Sequence, residues 1–272
     1  MSTRLSCHRF TTSRSAGACG GSASKCRSGT RIAANESNRL VALDHNRLLE
    51  GYRHRPGRQA WDGEHVGKWL HAATLAWANT GDPALRAKLD EVVAELTKCQ
   101  LPDGYLGTYT DDKRWTEWDV WAHKYNLIGL TTYIRYTGNT EPLEACKKMG
   151  DLLCNTFGDT PEKKDLIQHG HHMGMAPTSV LEPMVLLYRL TGEQRYLDFC
   201  KYILRAWEQP NGPKIISTLL NEKRVDHVGV TQAHDALDGR VPEQLLQGEL
   251  PRRSRRLQQR HVTEARVVDP AR

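Results

Sequence analysis

The sequence predicts an all-α protein built from helical hairpins stacked side by side as an (α/α) toroid. Three observations predict it. Three mostly apolar segments each end at Thr-Gly followed by a polar residue. Each is followed by a second segment with one apolar stripe at helical spacing. The returns from one pair to the next are long and rich in Trp, Tyr, His and carboxylates, unlike the short connections of an open solenoid with a repeat of about 34 residues.

A leading helix is expected over residues 35–52, where Leu40, Leu43, Leu48 and Leu49 are the apolar positions. The apolar segments then occupy 69–82, 126–139 and 180–193. Their Thr-Gly steps begin at 80, 137 and 191, so the unit repeats every 57 and then 54 residues. Gly81, Gly138 and Gly192 suit the left-handed conformation that closes a helix. Asp82 and Asn139 are candidate caps for the next helix, and Pro83 suits a first turn. The second helices carry stripes at Leu85, Leu89, Val92, Val93 and Leu96; at Leu143, Cys146, Met149, Leu152 and Leu153; and at Tyr196, Leu197, Cys200 and Ile203. A helix apolar on most faces is buried on both sides, whereas one with a single stripe forms an outer layer. Trp69 and Trp77 are expected in the core. Short turns force each pair antiparallel.

A chain of 272 residues is ample for a buried core, and 39% hydrophobic with 26% charged residues is ordinary for a soluble protein. No stretch approaches the ~20 apolar residues of a membrane span, so no membrane partner is expected. The net charge of +6 sits at the ends: residues 1–30 carry five Lys or Arg and no acid, and 223–272 carry ten against seven acids. The middle is slightly acidic, so a nucleic-acid partner is not expected. Seven cysteines form no CxxC pair, which excludes a disulfide framework or zinc ribbon. Cys99, Cys146, Cys154 and Cys200 are expected as buried free thiols, and the compartment is otherwise undetermined, with the cytoplasm slightly favoured. No secretory signal is visible.

The returns hold the residues suited to chemistry. The first contains Trp61, Asp62, Glu64, His65 and Lys68; the second Asp103, Tyr105, Glu117, Trp118, Asp119, Trp121 and His123; the third His169, His171 and His172. In a toroid several returns converge on one rim. A sugar ring needs such a mixture, because its C–H face packs on aromatic rings while its hydroxyls need charged or amide partners. These residues, Glu117 apart, are the candidate substrate-binding set, and a glycan or small sugar is the expected partner. The His169, His171 and His172 group lacks the helical HExxH spacing of a zinc site, so no metal is assigned to it. Asp103-Gly104 is also a good turn pair in its own right.

At these residues the sequence resembles the β-L-arabinofuranosidase-type glycoside hydrolases, over about 36–220. Lys68-Trp69-Leu70 enters a helix, Gln100-x-x-Asp103-Gly104-Tyr105-Leu106 follows the next, and the run from Leu187 to Leu197 carries the last Thr-Gly turn. The resemblance implies an (α/α)6 toroid, of which about three hairpins and the leading helix are present, so an incomplete one. It also implies removal of non-reducing-end L-arabinofuranose or a related sugar. Where the family commonly shows His-Glu, this chain reads Trp118-Asp119. The family's acid/base Glu, nucleophilic Cys and zinc ligands come after the matched region, and no cysteine follows Cys200. Zinc is therefore implied for the family, its ligands have no position here, and no cofactor or catalytic residue is assigned to this chain.

Three segments are expected: a non-family N-terminus over 1–34, the partial toroid over 35–222, and a basic tail over 223–272. Arginine-rich, aperiodic ends lead to the expectation of a truncated or frameshifted gene. Uncovered helix faces would favour self-association. The competing readings are an inactive carbohydrate-binding fragment and a helical-repeat scaffold for protein partners. Other toroid enzymes, including unsaturated glucuronyl hydrolases and sugar epimerases, would place the work on Asp103, Asp119 or His123.

Overall fold

A computed structural model describes residues 31–32 and 34–222. The expected non-family N-terminus, for all but its last few residues, and the basic tail from 223 lie outside the described residues. Among the described residues, nine α-helices follow one another from residue 36 on: α1 (His45–Arg53), α2 (Glu64–Thr80), α3 (Pro83–Lys98), α4 (Asp119–Thr137), α5 (Leu143–Thr156), the single turn α6 (Met175–Thr178), α7 (Leu181–Thr191), α8 (Gln194–Trp207) and α9 (Ile215–Glu222). The pairs α2/α3, α4/α5 and α7/α8 are the three predicted hairpins. No helix of the described residues is long and apolar enough to cross a membrane.

The turn chemistry is as the sequence implies. Gly81, Gly138 and Gly192 lie at φ 72°, 73° and 73°, and each donates its N–H back into the closing helix. Asp82 caps α3 by accepting from the N–H groups of Ala84 and Leu85. Asn139 does not cap α5. Its carbonyl accepts from Glu141 N, and Thr140, Glu141 and Pro142 intervene before the helix begins at Leu143.

The expected single leading helix is two pieces, a π-helical stretch Glu36–Val41 and α1. The break has a cause. Asp44 caps α1 at Asn46 N, and the carbonyls of Val41 and Leu43 turn outward to accept from Lys88 Nζ of α3. Thr80 Oγ1 to the buried Glu36, and Trp69 Nε1 to Leu40 O, pin the π-helical piece to α2.

Inner helices α2, α4 and α7 lie side by side, with α3, α5 and α8 outside them. All five predicted stripe positions of α3 are buried. In α5 and α8 the stripes shift slightly: Leu143, Leu152 and Leu197 are half-buried, while Gly150 and Phe199 take buried places. Trp69 is in the core, but Trp77 is half-buried under Arg86. Cys146 and Cys200 are buried; Cys99 and Cys154 are only half so. Helix α4, flanked by α2 and α7, buries fourteen residues around its whole circumference. Helix α7, with an inner neighbour on one side among the described residues, buries Pro183, Met184 and Leu187.

Helices α2 and α4 touch backbone to backbone. A Cβ on Gly67 would lie 2.2 Å from the carbonyl carbon and oxygen of Tyr125, and one on Gly129 would lie 2.7 Å from Gly67 O. Neither obstacle is a flexible side chain, so the helices themselves would have to part. Gly67→Ala is expected to cost about 3 kcal/mol or more, at the upper end of overpacking. Leu75→Ala, at a position 40% exposed on the same helix, should leave the melting temperature almost unchanged. Thermal unfolding followed by circular dichroism checks both.

Candidate functional site

The contact of α2 with α4 assembles a polar and aromatic surface. Glu64 and Lys68 lie one turn apart on α2, with Nζ 2.8 Å from Oε1. The other Glu64 oxygen accepts from Trp121 Nε1 on α4. Lys68 Nζ lies 4.6 Å from the centre of the Tyr125 ring. Lys124 Nζ lies 4.7 Å from that same ring and 4.4 Å from the Trp121 ring. Trp121 meets Tyr125 at 5.1 Å and Trp118 at 5.6 Å between centroids. Trp118 then stacks on His171 at 4.7 Å and meets His172 edge-on at 5.5 Å. The result is one continuous run of rings from Tyr125 to His172.

This surface is open on one side. Trp121 is buried and forms the base, Trp118 is half-buried, and Lys68, His171 and His172 are exposed. Backbone strain gathers around it. Trp115, Glu117, His172 and Met173 adopt φ of 67°, 47°, 57° and 53°, in the left-handed region that non-glycine residues rarely occupy. Such residues persist where surrounding structure holds them, and they cluster at functional sites.

Beneath Trp118 the support is a buried hydrogen-bond network. Asp119 is fully buried; Tyr105 OH donates to its Oδ1 at 2.8 Å and Trp115 N to its Oδ2 at 2.8 Å. Burial pushes the Asp119 carboxyl above the usual range, against His123 and the two hydrogen bonds, which favour the charged form. His123 is also fully buried. Leu106 N–H can only donate, so His123 Nε2 accepts from it at 3.4 Å and Nδ1 carries the proton given to Asp119 O at 2.9 Å. Asn126 Nδ2 donates to Leu106 O and to Tyr52 OH, which donates in turn to Gly63 O. The return over 101–118 is thereby tied to α4 and to the entrance of α2.

The structure sorts the predicted residues. Glu64, Lys68, Trp118, Trp121, His171 and His172 come together. Glu64, His65, Lys68, Asp119, Trp121 and His123 belong to the first two turns of helices rather than to loops, with Glu64 and Asp119 favourably placed at helix N-termini. Tyr105, Asp119 and His123 meet each other inside the protein and present nothing to solvent. Asp103 binds Arg114 Nη1 at 2.5 Å and Tyr105 N at 3.0 Å; these outweigh its partial burial and hold its carboxyl below the usual range. Asp62 and His65 instead line a cavity of about 290 Å³ with Asp44, Arg47, Arg58 and Gln59. Trp61 is exposed, and His169 binds Asp165 O while meeting Phe157. Lys124 and Tyr125 were not singled out from sequence; their i, i+3 and i, i+4 spacing from Trp121 was the available signal.

The zinc–thiolate group implied by the resemblance does not fit the described residues. No three His, Cys, Asp or Glu among them are grouped to hold a metal ion. Burial pushes the thiols of Cys146, Cys154 and Cys200 up to about 12, and raises Cys99 as well. A thiol at that value is ionised in roughly one molecule in ten thousand at pH 8. Alkylation by iodoacetamide at pH 8 should therefore leave Cys146 and Cys200 unlabelled in the native protein and label them after unfolding, as read by peptide mass spectrometry. Separately, Asp119→Ala strands Tyr105 OH and Trp115 N–H in the core. It should destabilise the chain by about 2–5 kcal/mol in denaturant unfolding.

A family profile described as the β-L-arabinofuranosidase, GH127 catalytic domain, matches residues 29–240. The match runs past 222, where hairpin spacing ends. A non-reducing-end β-L-arabinofuranosidase of Bifidobacterium longum subsp. longum is 30% identical over 151 residues, covering 51% of this chain and 22% of that protein. A crystal structure of a GH127 β-L-arabinofuranosidase from Geobacillus stearothermophilus T6 superposes with a TM-score of 0.52 at 20% identity, over 72% of this chain and 32% of that one. The chain thus spans between about a fifth and a third of the length of these relatives, and the structural likeness shows the shared helical fold. By the extent of the profile match, the chain belongs to the GH127 β-L-arabinofuranosidase catalytic-domain family.

Proposed function

We propose that the described residues form the recognition part of a glycan-binding site, and that the chain serves hydrolysis of a non-reducing-end L-arabinofuranose or related sugar. The observation that carries the reading is the open ring surface of Trp118 and Trp121, bordered by Glu64, Lys68, His171 and His172. A sugar's C–H face packs against Trp118, while amine, carboxylate and imidazole groups at the edge meet its hydroxyls. The name of the Bifidobacterium relative supports the choice of sugar and linkage end.

Bond cleavage is a separate matter. Retaining hydrolysis needs two groups about 5 Å apart, one attacking carbon and one moving a proton. Glu64 has both oxygens engaged, by Lys68 and by Trp121, and Asp119 is sealed inside. Each is placed to hold the surface rather than to attack a sugar. This favours sugar binding by the described residues over turnover by them alone. Scaffold function accounts less well for ring faces held open by strained backbone.

Tryptophan fluorescence titration with L-arabinose, other pentoses, hexoses and aryl L-arabinofuranosides tests the reading. Saturable quenching is expected with L-arabinofuranosides, at least tenfold weaker in Trp118→Ala while the melting temperature is held. Failure of every sugar to bind the folded chain would overturn it. Release of the aryl group, measured in parallel, separates turnover from binding.

A further inference from the structure

Among the described residues, the proposed sugar-binding surface holds one lysine, Lys124, whose ammonium meets ring faces but no hydrogen-bond acceptor or carboxylate. Lys68 and Lys124 approach the same Tyr125 ring, at 4.6 and 4.7 Å from its centre. Lys68 is neutralised by Glu64 at 2.8 Å. Lys124 is half-buried and rests on the Trp121 and Tyr125 rings, with no carboxylate within 4 Å and no hydrogen-bond acceptor among the described residues. An ammonium has three hydrogens to donate, and ring faces satisfy none of them as an oxygen would. Burial pulls the Lys124 pKa down, and Lys68 adds to this. Two carboxylates oppose it: Glu182, exposed in the first turn of the packed neighbour α7, and Glu64. Glu182 also acts on His71 of α2, whose pKa burial lowers. Glu182 too has no hydrogen bond or ion pair of its own among the described residues. Among the described residues, a donor beside the aromatic rings of α4 and an acceptor in the first turn of the packed helix α7 are thus left free.

We infer that Lys124 is the hydroxyl-specificity residue of the site: its ammonium donates to one sugar oxygen while Glu182 accepts from the neighbouring hydroxyl. The ligand class this selects is a sugar with a free vicinal diol beside the face stacked on the tryptophans. Lys124 and Glu182 then act on which sugar binds, and Trp118 on whether any does. The inference rests on the sugar-binding reading and adds a discrimination that stacking does not supply, since a ring face accepts many sugars whereas a paired donor and acceptor reject the analogue lacking a hydroxyl.

Isothermal titration of the full chain tests it, using the best-binding sugar and its single-deoxy analogues on the wild type, Lys124→Met, Lys124→Arg and Glu182→Gln. The wild type should bind one or two deoxy analogues at least tenfold more weakly than the parent sugar. Lys124→Met should bind the parent at least tenfold more weakly and no longer distinguish the analogue lacking the hydroxyl that Lys124 meets; Lys124→Arg should restore that distinction in part. Glu182→Gln should lose discrimination at the adjacent hydroxyl. Unchanged affinity and unchanged discrimination in folded Lys124→Met would overturn the inference while leaving sugar binding intact. A wild type that binds no sugar would instead remove the reading on which it rests.

Discussion

The backbone contact between Gly67 and the Tyr125–Gly129 turn is the constraint on which the site depends. With no side chain at Gly67 or Gly129, α2 and α4 approach until helix backbone meets helix backbone. That distance decides which side chains can touch. Glu64 and Lys68 lie within one turn of Gly67, and Tyr125 and Trp121 lie one and two turns from Gly129. Only at close approach can Glu64 accept from Trp121 Nε1 while Lys68 covers Tyr125. Packing of the inner helices and geometry of the ring surface are therefore one property.

The second requirement is that Trp118 face outward immediately before a helix whose next residues are all buried. Asp119 achieves this by accepting from Tyr105 OH and Trp115 N, which folds the end of the return back onto the helix it enters. The left-handed Trp115 and Glu117 are the local cost of that reversal. Removing water from a carboxylate is unfavourable unless it is hydrogen-bonded, so the burial of Asp119 requires both donors. His123 and Asn126 extend the same bracing to Leu106 and, through Tyr52, to Gly63 at the start of α2. The surface is thus fixed from below by polar contacts and from the side by helix packing.

Much of this was legible in the sequence, for reasons that differ by element. Thr-Gly steps mark helix ends because glycine alone takes the left-handed turn without strain, and all three lie at positive φ. Asp82 was readable as a cap because its helix begins at the next residue, whereas Asn139 is separated from α5 by three residues. The start of α4 was not readable. A helix buried all round has no polar face to betray its period, so Asp119 to Lys124 resembled a loop rich in chemistry. The break in the leading helix is marked locally by Asp44, the cap of α1, but depends also on Lys88, far along the chain. Within the site, residue type identified the aromatic and charged groups, but not which way they face. Tyr105, Asp119 and His123 look like ligand contacts in a sequence and are the interior brace in the fold. Lys124 and Tyr125 take their place from their spacing to Trp121 on α4 together with the approach of Lys68 from α2.

Saturation-transfer difference NMR tests the central claim most directly, because it reports which sugar protons lie against protein rings. With the aromatic region saturated in the presence of an L-arabinofuranoside, transfer should be strongest to C–H protons on one face of the sugar, and should fall sharply when Trp118 is replaced by alanine. Transfer that is absent, or equal for both faces and unchanged by that substitution, would contradict a stacked sugar on the surface that Gly67 and Gly129 bring together.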